Sequence, residues 1–423
     1  MAAQNTGGGV PVPVHFFDQG SYTPLFSTAD GPVQAAFGFV GGQGAYAVWQ
    51  NGDALGAADI GVSVKTLELA AKTGSPVVTF YNSKGSLLQE GLSSLAATAS
   101  LSAAVSKLSG VVPQIAVVTG VCGASNAMAA ASADLIILCR EAEFFLTPPF
   151  LSAAKGDKLP GAGGAEAAIA AGIAAVVADD EEIAAQNAAK LVTLLPANNL
   201  ASPSAFSFTP PIGVLDKSQY TANVAVAAIV DEESAFELFE GFGKGCTVSL
   251  ATISGAVCGV VSTEGEAVPL DRDDVAKIAR FVRFCDAFSL PVVTVVNSAG
   301  FEQSASEDVA GNLREAARLA STYADATTAK LSVITGKAVG TLYTALASAD
   351  LTVALEGSVI APAEPSAVVS VLYHEEIENS GNSIETETAT RANTWAREAA
   401  GADATQKAGL ANFTADVGSL RAT

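Results

Sequence analysis

Few side chains in this 423-residue chain have the type and spacing for covalent chemistry. The two histidines, His15 and His374, sit in no recognisable Ser/His or Cys/His arrangement. The five cysteines, Cys122, Cys139, Cys246, Cys258 and Cys285, contain no CxxC pair. They read as buried free thiols rather than as a zinc site or disulfide framework, and no metal is expected. What the chain repeats is backbone chemistry. Val117-Val118-Thr119-Gly120 leads to Ala131-Ser132-Ala133-Asp134-Leu135, and Val333-Ile334-Thr335-Gly336 leads to Ala347-Ser348-Ala349-Asp350-Leu351 with the same spacing. In each copy an apolar run ends at Thr-Gly, which reads as a buried strand stopping at a turn. Small residues follow, Gly123-Ala124-Ser125-Asn126-Ala127 in one copy and Gly340-Thr341-Leu342 in the other. A helix-forming run then leads to a second strand, residues 135–139 or 351–355. A strand handing over to a helix through small residues presents free N–H groups where an oxyanion can bind. Two copies imply two such sites.

The elements around these motifs repeat in the same order. Residues 17–22 and 230–236 each read as a short turn opening a half. Residues 37–49 carry Gly41-Gly42-Gln43-Gly44 between apolar pieces, the pattern of two strands with a tight connection. Residues 62–72 have helical periodicity and end at Thr73-Gly74-Ser75-Pro76, where Gly stops a helix and Pro forbids its continuation. A β-branched strand over 77–81 then runs into Asn82-Ser83-Lys84-Gly85-Ser86. The second half has a helix over 275–288, a strand over 292–296 and the loop Asn297-Ser298-Ala299-Gly300-Phe301. Helix, parallel strand and Gly loop in alternation mean α/β with crossovers, where ligands sit beyond the carboxyl ends of the strands. Residues 165–178 and 182–195 read as helix-rich, with an acidic helix start at 179–182. Residues 196–211 hold four prolines and form the candidate linker, so the expected domains are 1–211 and 212–423. Residues 1–9 are small and polar and read as disordered. The tail after Tyr373 is polar and acidic, then helix-like around Trp395. A lid, a dimer arm and a mobile region stay open for it.

Composition narrows the function classes. A repeat of about 215 residues favours two domains. Apolar residues make up 49% and charged residues 15%, which allows large cores and subunit interfaces. The net charge of −21 argues against a nucleic-acid partner and requires a local basic patch for any polyanionic ligand. The longest apolar-looking run, residues 165–178, is too short to span a bilayer, and no secretory leader pattern opens the chain. A cytoplasmic location is expected.

Laid out this way, the sequence resembles the carboxyltransferase (beta) subunits of biotin-dependent acyl-CoA carboxylases and their decarboxylase relatives. The resemblance covers nearly the whole chain. In the first half it rests on Asn82 to Gly91, Val112-Pro113-Gln114-Ile115 and Leu194-Leu195-Pro196-Ala197-Asn198-Asn199. In the second it rests on Ala279 to Phe288, Gly300-Phe301, Ile334-Thr335-Gly336-Lys337-Ala338 and Val371-Leu372-Tyr373. It implies a tandem repeat of two crotonase-like ββα-spiral α/β domains, the first binding acyl-CoA and the second biotin. Carboxyl transfer between biotin on a carrier and an acyl-CoA develops negative charge on the thioester and ureido oxygens. A preorganised oxyanion hole stabilises such charge.

Carried over by position, Ala124 and Ser125 fall at the hole for the acyl-CoA oxygen, where the family has Gly-Gly. Thr341 and Leu342 fall at the hole for biotin, where it has Gly-Ala. Lys84, Gly85, Ser86 and Gly123 map to acyl-CoA binding, and Gly300, Phe301, Gly340, Thr344, Ala363 and Glu364 to biotin binding. Glu364 replaces a family glycine, where it repels or orients an anionic group. Lys84, Lys155 and Lys158 are candidates for the CoA phosphates, against the plainer reading as surface lysines. Ser132 and Ser348 read as helix-packing residues, and Asp134 and Asp350 as helix stops. The implied partners are a biotin carboxyl carrier and either a biotin carboxylase or membrane decarboxylase subunits. A homo-oligomer from dimer to hexamer is also implied, with no direct membrane insertion. Two other readings stay open. One is a non-catalytic paralogue that keeps the fold and an assembly role. The other is a biotin-independent crotonase-like acyl-CoA enzyme, for which Glu90 and Glu364 are the only acidic candidates.

Overall fold

Two hairpins, each closed by a buttressed left-handed turn, start the two halves of the chain. The computed structural model describes residues 13, 15–27, 31–211, 215–346, 349–416 and 418, and element counts refer to these. Residues 1–9 lie outside them, as do Ala347 and Ser348 of the second repeat. The chain divides into two compact units, Met1–Ser204 and Ala205–Thr423.

In the first unit, β1 (Thr23–Ser27), β2 (Val33–Val40) and β3 (Gln43–Gln50) form an antiparallel meander. Gly41 and Gly42 join β2 to β3 at φ +55° and +82°, the left-handed pair that a two-residue hairpin turn requires. The expected opening turn has a task here: Asp18 accepts from the Gly41 and Gly42 amides at 2.9 and 3.0 Å. From β3 the sheet continues in parallel through β4 (Val77–Tyr81), β5 (Gln114–Val118), β7 (Leu135–Cys139) and β9 (Val176–Ala178). Between them β6 (Val121–Gly123) and β8 (Glu143–Phe145) pair separately in parallel. Every residue of β4, β5 and β7 is buried, as expected of strands covered on both faces.

The helices of this unit are α1 (Ala57–Thr73), α2 (Leu92–Leu108), α3 (Ala124–Ala131), α4 (Pro149–Ala154), α5 (Ala165–Ala170) and α6 (Glu181–Leu194). α1 buries Ile60, Ser63, Leu67 and Ala70 along one face, against α2 and the sheet. Each fully buried Ile or Leu contributes roughly 1.5–3 kcal/mol. Gly74, at φ +66°, ends α1 before Pro76. The helical reading of 165–178 is corrected. α5 stops at Ala170, Gly172 turns at φ +66°, and Val176–Ala178 adds to the sheet beside β7. The apolar run finds an open parallel edge there, and the sheet outcompetes its helix propensity.

The second unit repeats this plan. It contains β10 (Phe236–Leu238), β11 (Cys246–Ile253), β12 (Ala256–Thr263), β13 (Val292–Ser298), β14 (Lys330–Val339), β15 (Leu351–Leu355), β16 (Val359–Ala361) and β17 (Phe413–Ala415). Asp231 does for the β11–β12 turn what Asp18 does for β2–β3, accepting from Ser254 and Gly255 at 3.0 and 2.8 Å. The sheet runs β10-β11-β12-β13-β14-β15-β17, with β16 against the far end of β14. The helices are α7 (Ala222–Ala227), α8 (Arg272–Ala287), α9 (Ala305–Ala310), α10 (Asn312–Asp325), α11 (Gly340–Leu346), α12 (Pro365–Leu372), α13 (His374–Glu378), α14 (Ile384–Ala399) and α15 (Ala402–Lys407).

A second correction falls at Thr335-Gly336. β14 does not stop there; it stays beside β13 through a register shift that sets Ser298 against Ala338, and on its other side it passes from β15 to β16, which pairs Lys337, Ala338 and Val339. In the first unit the equivalent path is split into β5 and β6. The acidic tail is tied into this unit. Arg391 on α14 bonds Glu376 and Glu387 at 2.6 and 2.7 Å and lies over the Tyr373 ring. Trp395 packs on Val339, Ala361 and Ala400.

Candidate functional site

The Gly loops that follow β4 and β13 are built by one local rule, written Asn-Ser-x-Gly in both. Ser83, almost fully buried, takes the Gly85 amide on its hydroxyl at 3.0 Å and donates to the Asp53 carbonyl at 3.1 Å. Ser298 takes the Gly300 amide at 3.2 Å. The bend puts Gly85 at φ +102° and Gly300 at φ +123°, which a side chain would strain. A Cβ on Gly85 would meet nothing within 4 Å, so the backbone there borders open space. Past the bend, Leu55 bonds the Gly85 carbonyl and the Leu87 amide, both at 2.8 Å. The Ser86 N–H between them therefore faces away from Leu55. In the second unit Leu270 bonds the Gly300 carbonyl at 3.0 Å and the Glu302 amide at 2.8 Å, which leaves the Phe301 N–H in the same position.

The asparagines of these loops reach the next element. Asn82 accepts from the Val121 amide at 3.3 Å, and Asn297 from the Lys337 amide at 3.0 Å. A Cβ on Gly120 or Gly336 would collide with that asparagine at 2.3 or 2.0 Å, which is why both copies read Thr-Gly. Asp134 and Asp350 do more than stop a helix. Each accepts the first amide of the neighbouring strand, Gln114 or Lys330, at 2.8 Å and so sets where that strand begins.

Five residues singled out from sequence meet in the first unit. Gly85, Ser86, Gly123, Ala124 and Ser125 line one cavity of about 70 Å³, with Leu55, Ile60, Thr98, Leu101 and Asn126 as its other walls. Gly123 has to be glycine, because a Cβ would lie 2.4 Å from the Phe145 ring. Ala124 opens α3 at φ +52°, the conformation the glycine of the family pattern adopts freely. No side chain caps α3, so its first amides, Ala124 to Asn126, have no intrahelical partner. Lys84 stands exposed at the same loop, 3.8 Å from Asp53, a pairing too loose and solvated to hold it. Lys155 and Lys158 are exposed in and after the α4 turn.

In the second unit, counting from Thr-Gly sets Gly340 against Ala124, and Gly340 has the matching φ of +57°. Thr341 is exposed there, whereas Leu342 is fully buried, so the bulk that Leu342 adds goes into the core. Thr344 bonds back to the Gly340 carbonyl at 3.2 Å. A Cβ on Gly300 would have only Val339 near it, at 4.0 Å. Phe301 is half-buried and Ala363 exposed. Glu364 does not stand as a free carboxylate: its Oε1 takes the Lys337 ammonium, which also lies 3.2 Å from Glu266. Burial, the largest influence, pulls the Lys337 ammonium down, but Glu364 and Glu266 outweigh it and hold it above the usual lysine range.

The remaining reactive side chains are spent or silent. Glu90 accepts from the Ala57 amide at 2.6 Å and so serves the start of α1. All five cysteines are buried and free. Burial pushes the Cys139 thiol up to about 11 and Cys258 up to about 12, far from thiolate at neutral pH. Among the described residues no group of three or more His, Cys, Asp or Glu could hold a metal, and no helix is long and apolar enough to cross a membrane.

Sequence reasoning missed Asn82, Asn297, Asn126, Lys337 and Glu266 as parts of these sites. The asparagines had a readable signal, since Asn-Ser-x-Gly occurs once per repeat. The lysine and its second glutamate had none, being separated by some 70 residues in the chain and joined only by the fold.

Known proteins share this architecture. The family model described as the carboxyl transferase domain matches residues 13–410. The methylmalonyl-CoA carboxyltransferase 12S subunit of Propionibacterium freudenreichii subsp. shermanii is 33% identical over 325 residues, 73% of this chain and 61% of that protein. The methylmalonyl-CoA decarboxylase subunit alpha of Propionigenium modestum is 27% identical over 373 residues, 82% of this chain and 72% of that one. A crystal structure of transcarboxylase 12S, describing its hexamer assembly, holds methylmalonyl-coenzyme A and methylmalonic acid. It superposes with a TM-score of 0.89 at 27% identity, covering 96% of this chain and 86% of that one. The chain thus spans about three-fifths of the first of these relatives.

Proposed function

The chain belongs to the carboxyl transferase domain family, and from that premise we propose that it moves a carboxyl group between biotin on a carrier and an acyl-CoA. Its fold is a crotonase-like tandem of α/β repeats. One observation carries the reading: each unit sets an outward-facing loop amide, Ser86 or Phe301, after an Asn-Ser-x-Gly bend. Each also opens its next helix in the left-handed region, at Ala124 or Gly340. Two such donor sets suit a reaction that develops charge on two carbonyl oxygens.

In this reading the first domain, 1–211, takes the acyl-CoA. The amides of Ser86, Ala124 and Ser125 hold the thioester oxygen, and Gly85 and Gly123 leave the backbone accessible. Lys84 meets a CoA phosphate at the rim, and a cavity of about 70 Å³ suits a short acyl group. The second domain, 212–423, takes biotin at Gly300, Phe301, Gly340, Thr341, Leu342, Thr344, Ala363 and Glu364. The residues there fit that group. Gly300 borders open space, Leu342 offers only its amide, and Glu364 Oε2 is a buried acceptor with no donor among the described residues. Biotin bound there supplies the site that gives or takes the carboxyl group. The chain's own residues orient both ligands and hold the oxygens on which charge develops. With Glu90 and Glu364 both engaged, a biotin-independent acid/base enzyme has no free carboxylate among its candidates. The partners are a biotin carrier with either a biotin carboxylase or membrane decarboxylase subunits, in a homo-oligomer.

The test is decarboxylation of malonyl-, methylmalonyl- and glutaconyl-CoA by the purified chain with free biotin. Turnover that disappears without biotin is the expected result and names the acyl group. Turnover indifferent to biotin, or no turnover and no CoA-ester binding by calorimetry, refutes the reading. The latter result leaves the non-catalytic paralogue.

A further inference from the structure

The two copies of the repeat differ at one pair of facing positions. In the first unit β6 lies parallel to β8, and Pro148 follows at φ −53°, ψ 129°, with Pro149 opening α4. In the second, the end of β14 lies parallel to β16, and Glu364 follows at φ −54°, ψ 130°, with Pro365 opening α12. The backbones therefore correspond residue for residue. Counted from Gly120 and Gly336, Val121 stands where Lys337 stands. Counted from the helix-opening prolines, Pro148 stands where Glu364 stands. An apolar pair in one copy is an ion pair in the other.

Lys337 is the more buried member of that ion pair, whereas the Glu364 side chain is 41% exposed overall, with one carboxylate oxygen turned inward. The Lys337 side chain is about three-quarters buried (26% exposed) and is shared between Glu364 Oε1 and Glu266 Oε2. It ties the loop before α8 to the segment before α12. Holding Oε1 also orients the rest of the carboxylate. Glu364 Oε2 is buried and has no hydrogen-bond partner among the described residues. An ionised carboxylate only accepts, so what Oε2 lacks is a donor, and a buried acceptor without one is costly. The first unit has no counterpart acceptor, since Pro148 carries no polar side-chain atom.

We propose that Glu364, oriented by Lys337, distinguishes the second site from the first by accepting a hydrogen bond from the ring N–H of a cyclic urea, the ureido group of biotin. Glu364 is the residue that touches the ligand, and Lys337 is a positioning residue. The inference rests on the reading that this unit takes biotin, and it assigns the choice of ligand to a pair that the acyl-CoA unit does not have.

The experiment titrates free biotin into the full chain by ligand-observed NMR, and measures KM for biotin and for acyl-CoA in the decarboxylation assay. It uses wild type, Glu364→Met, Glu364→Gln and Lys337→Met. Loss of one hydrogen bond to a charged acceptor should raise the biotin Kd and KM on the order of 10-fold in Glu364→Met and Lys337→Met. The acyl-CoA KM should not change, and Glu364→Gln, which keeps an acceptor oxygen, should recover part of the loss. Unchanged biotin binding in Glu364→Met overturns the proposal, as does a parallel rise in both KM values. A purely structural ion pair would lower the melting temperature by circular dichroism and leave Glu364→Gln no better than Glu364→Met, and that result also overturns it. Glu364-dependent biotin binding without turnover supports the proposal while refuting the carboxyltransferase reading. No biotin binding by wild type refutes the proposal itself.

Discussion

Replacing Ala124 by glycine should stabilise the protein, although alanine-to-glycine changes in helices ordinarily do the reverse. Ala124 opens α3 at φ +52°, a conformation that costs an L-residue roughly 1–2 kcal/mol and costs glycine nothing. Glycine gives back roughly 0.5–1 kcal/mol through the greater freedom of its unfolded chain. The Ala124 methyl is exposed, so almost no burial is lost. The balance is a gain of about 0.5–1 kcal/mol, or about 1–4 °C in the melting of a unit of this size. Urea titration followed by far-UV circular dichroism reads it as a higher midpoint at unchanged slope. The reciprocal change, Gly340→Ala, should cost roughly 1–2 kcal/mol. Its φ is +57°, and the new Cβ would lie 3.2 Å from the Pro362 carbonyl. A loss of about 1 kcal/mol in Ala124→Gly, the usual penalty for glycine in a helix, would refute the claim that the left-handed position stores strain.

Gly123→Ala pushes a Cβ to 2.4 Å from the Phe145 ring and should destabilise by about 1–3 kcal/mol in a thermal melt. Adding Phe145→Leu should recover much of that, and additive losses in the double-mutant cycle would deny the contact. The five thiols should be silent toward a thiol-disulfide reagent at neutral pH in the native protein and should all react once urea unfolds it. The sign follows from their raised pKa, about 11 for Cys139 and about 12 for Cys258. Burial favours the protonated thiol, so thiolate forms only well above the ordinary cysteine range. A fast-reacting native thiol would contradict this.

Much of the fold was legible because short-range rules decided it. The strand at 77–81, the helix stop at Gly74-Ser75-Pro76 and the Gly41-Gly42 hairpin are local: each conformation is dictated by residues within a few positions of it. Residues 165–178 were not legible, because alanine-rich sequence suits either state and an open edge beside β7 settled the choice. Nor was the end of the strand at Thr335-Gly336, because the pairing of Lys337–Val339 with residues 359–361 is non-local. Counting from Thr-Gly sets the candidate pair Ala124-Ser125 against Gly340-Thr341, one residue ahead of the Thr341-Leu342 pair that the family resemblance implies. The inward burial of Leu342 was not legible by any such count.

The sequence by itself determined that the chain is a twofold α/β repeat, and it marked the Gly loops and helix starts that are the candidate sites. Glycine, proline and the Thr-Gly spacing act through local sterics, which need no partner to be read. Only the tertiary structure decided how those groups are held. Asp18 and Asp231 brace their hairpin turns, Asn82 and Asn297 make Gly120 and Gly336 obligatory, and Lys337 joins Glu266 to Glu364. Each of these joins residues more than 20 positions apart. Such contacts depend on the sheet having assembled, and no local preference of the chain encodes them.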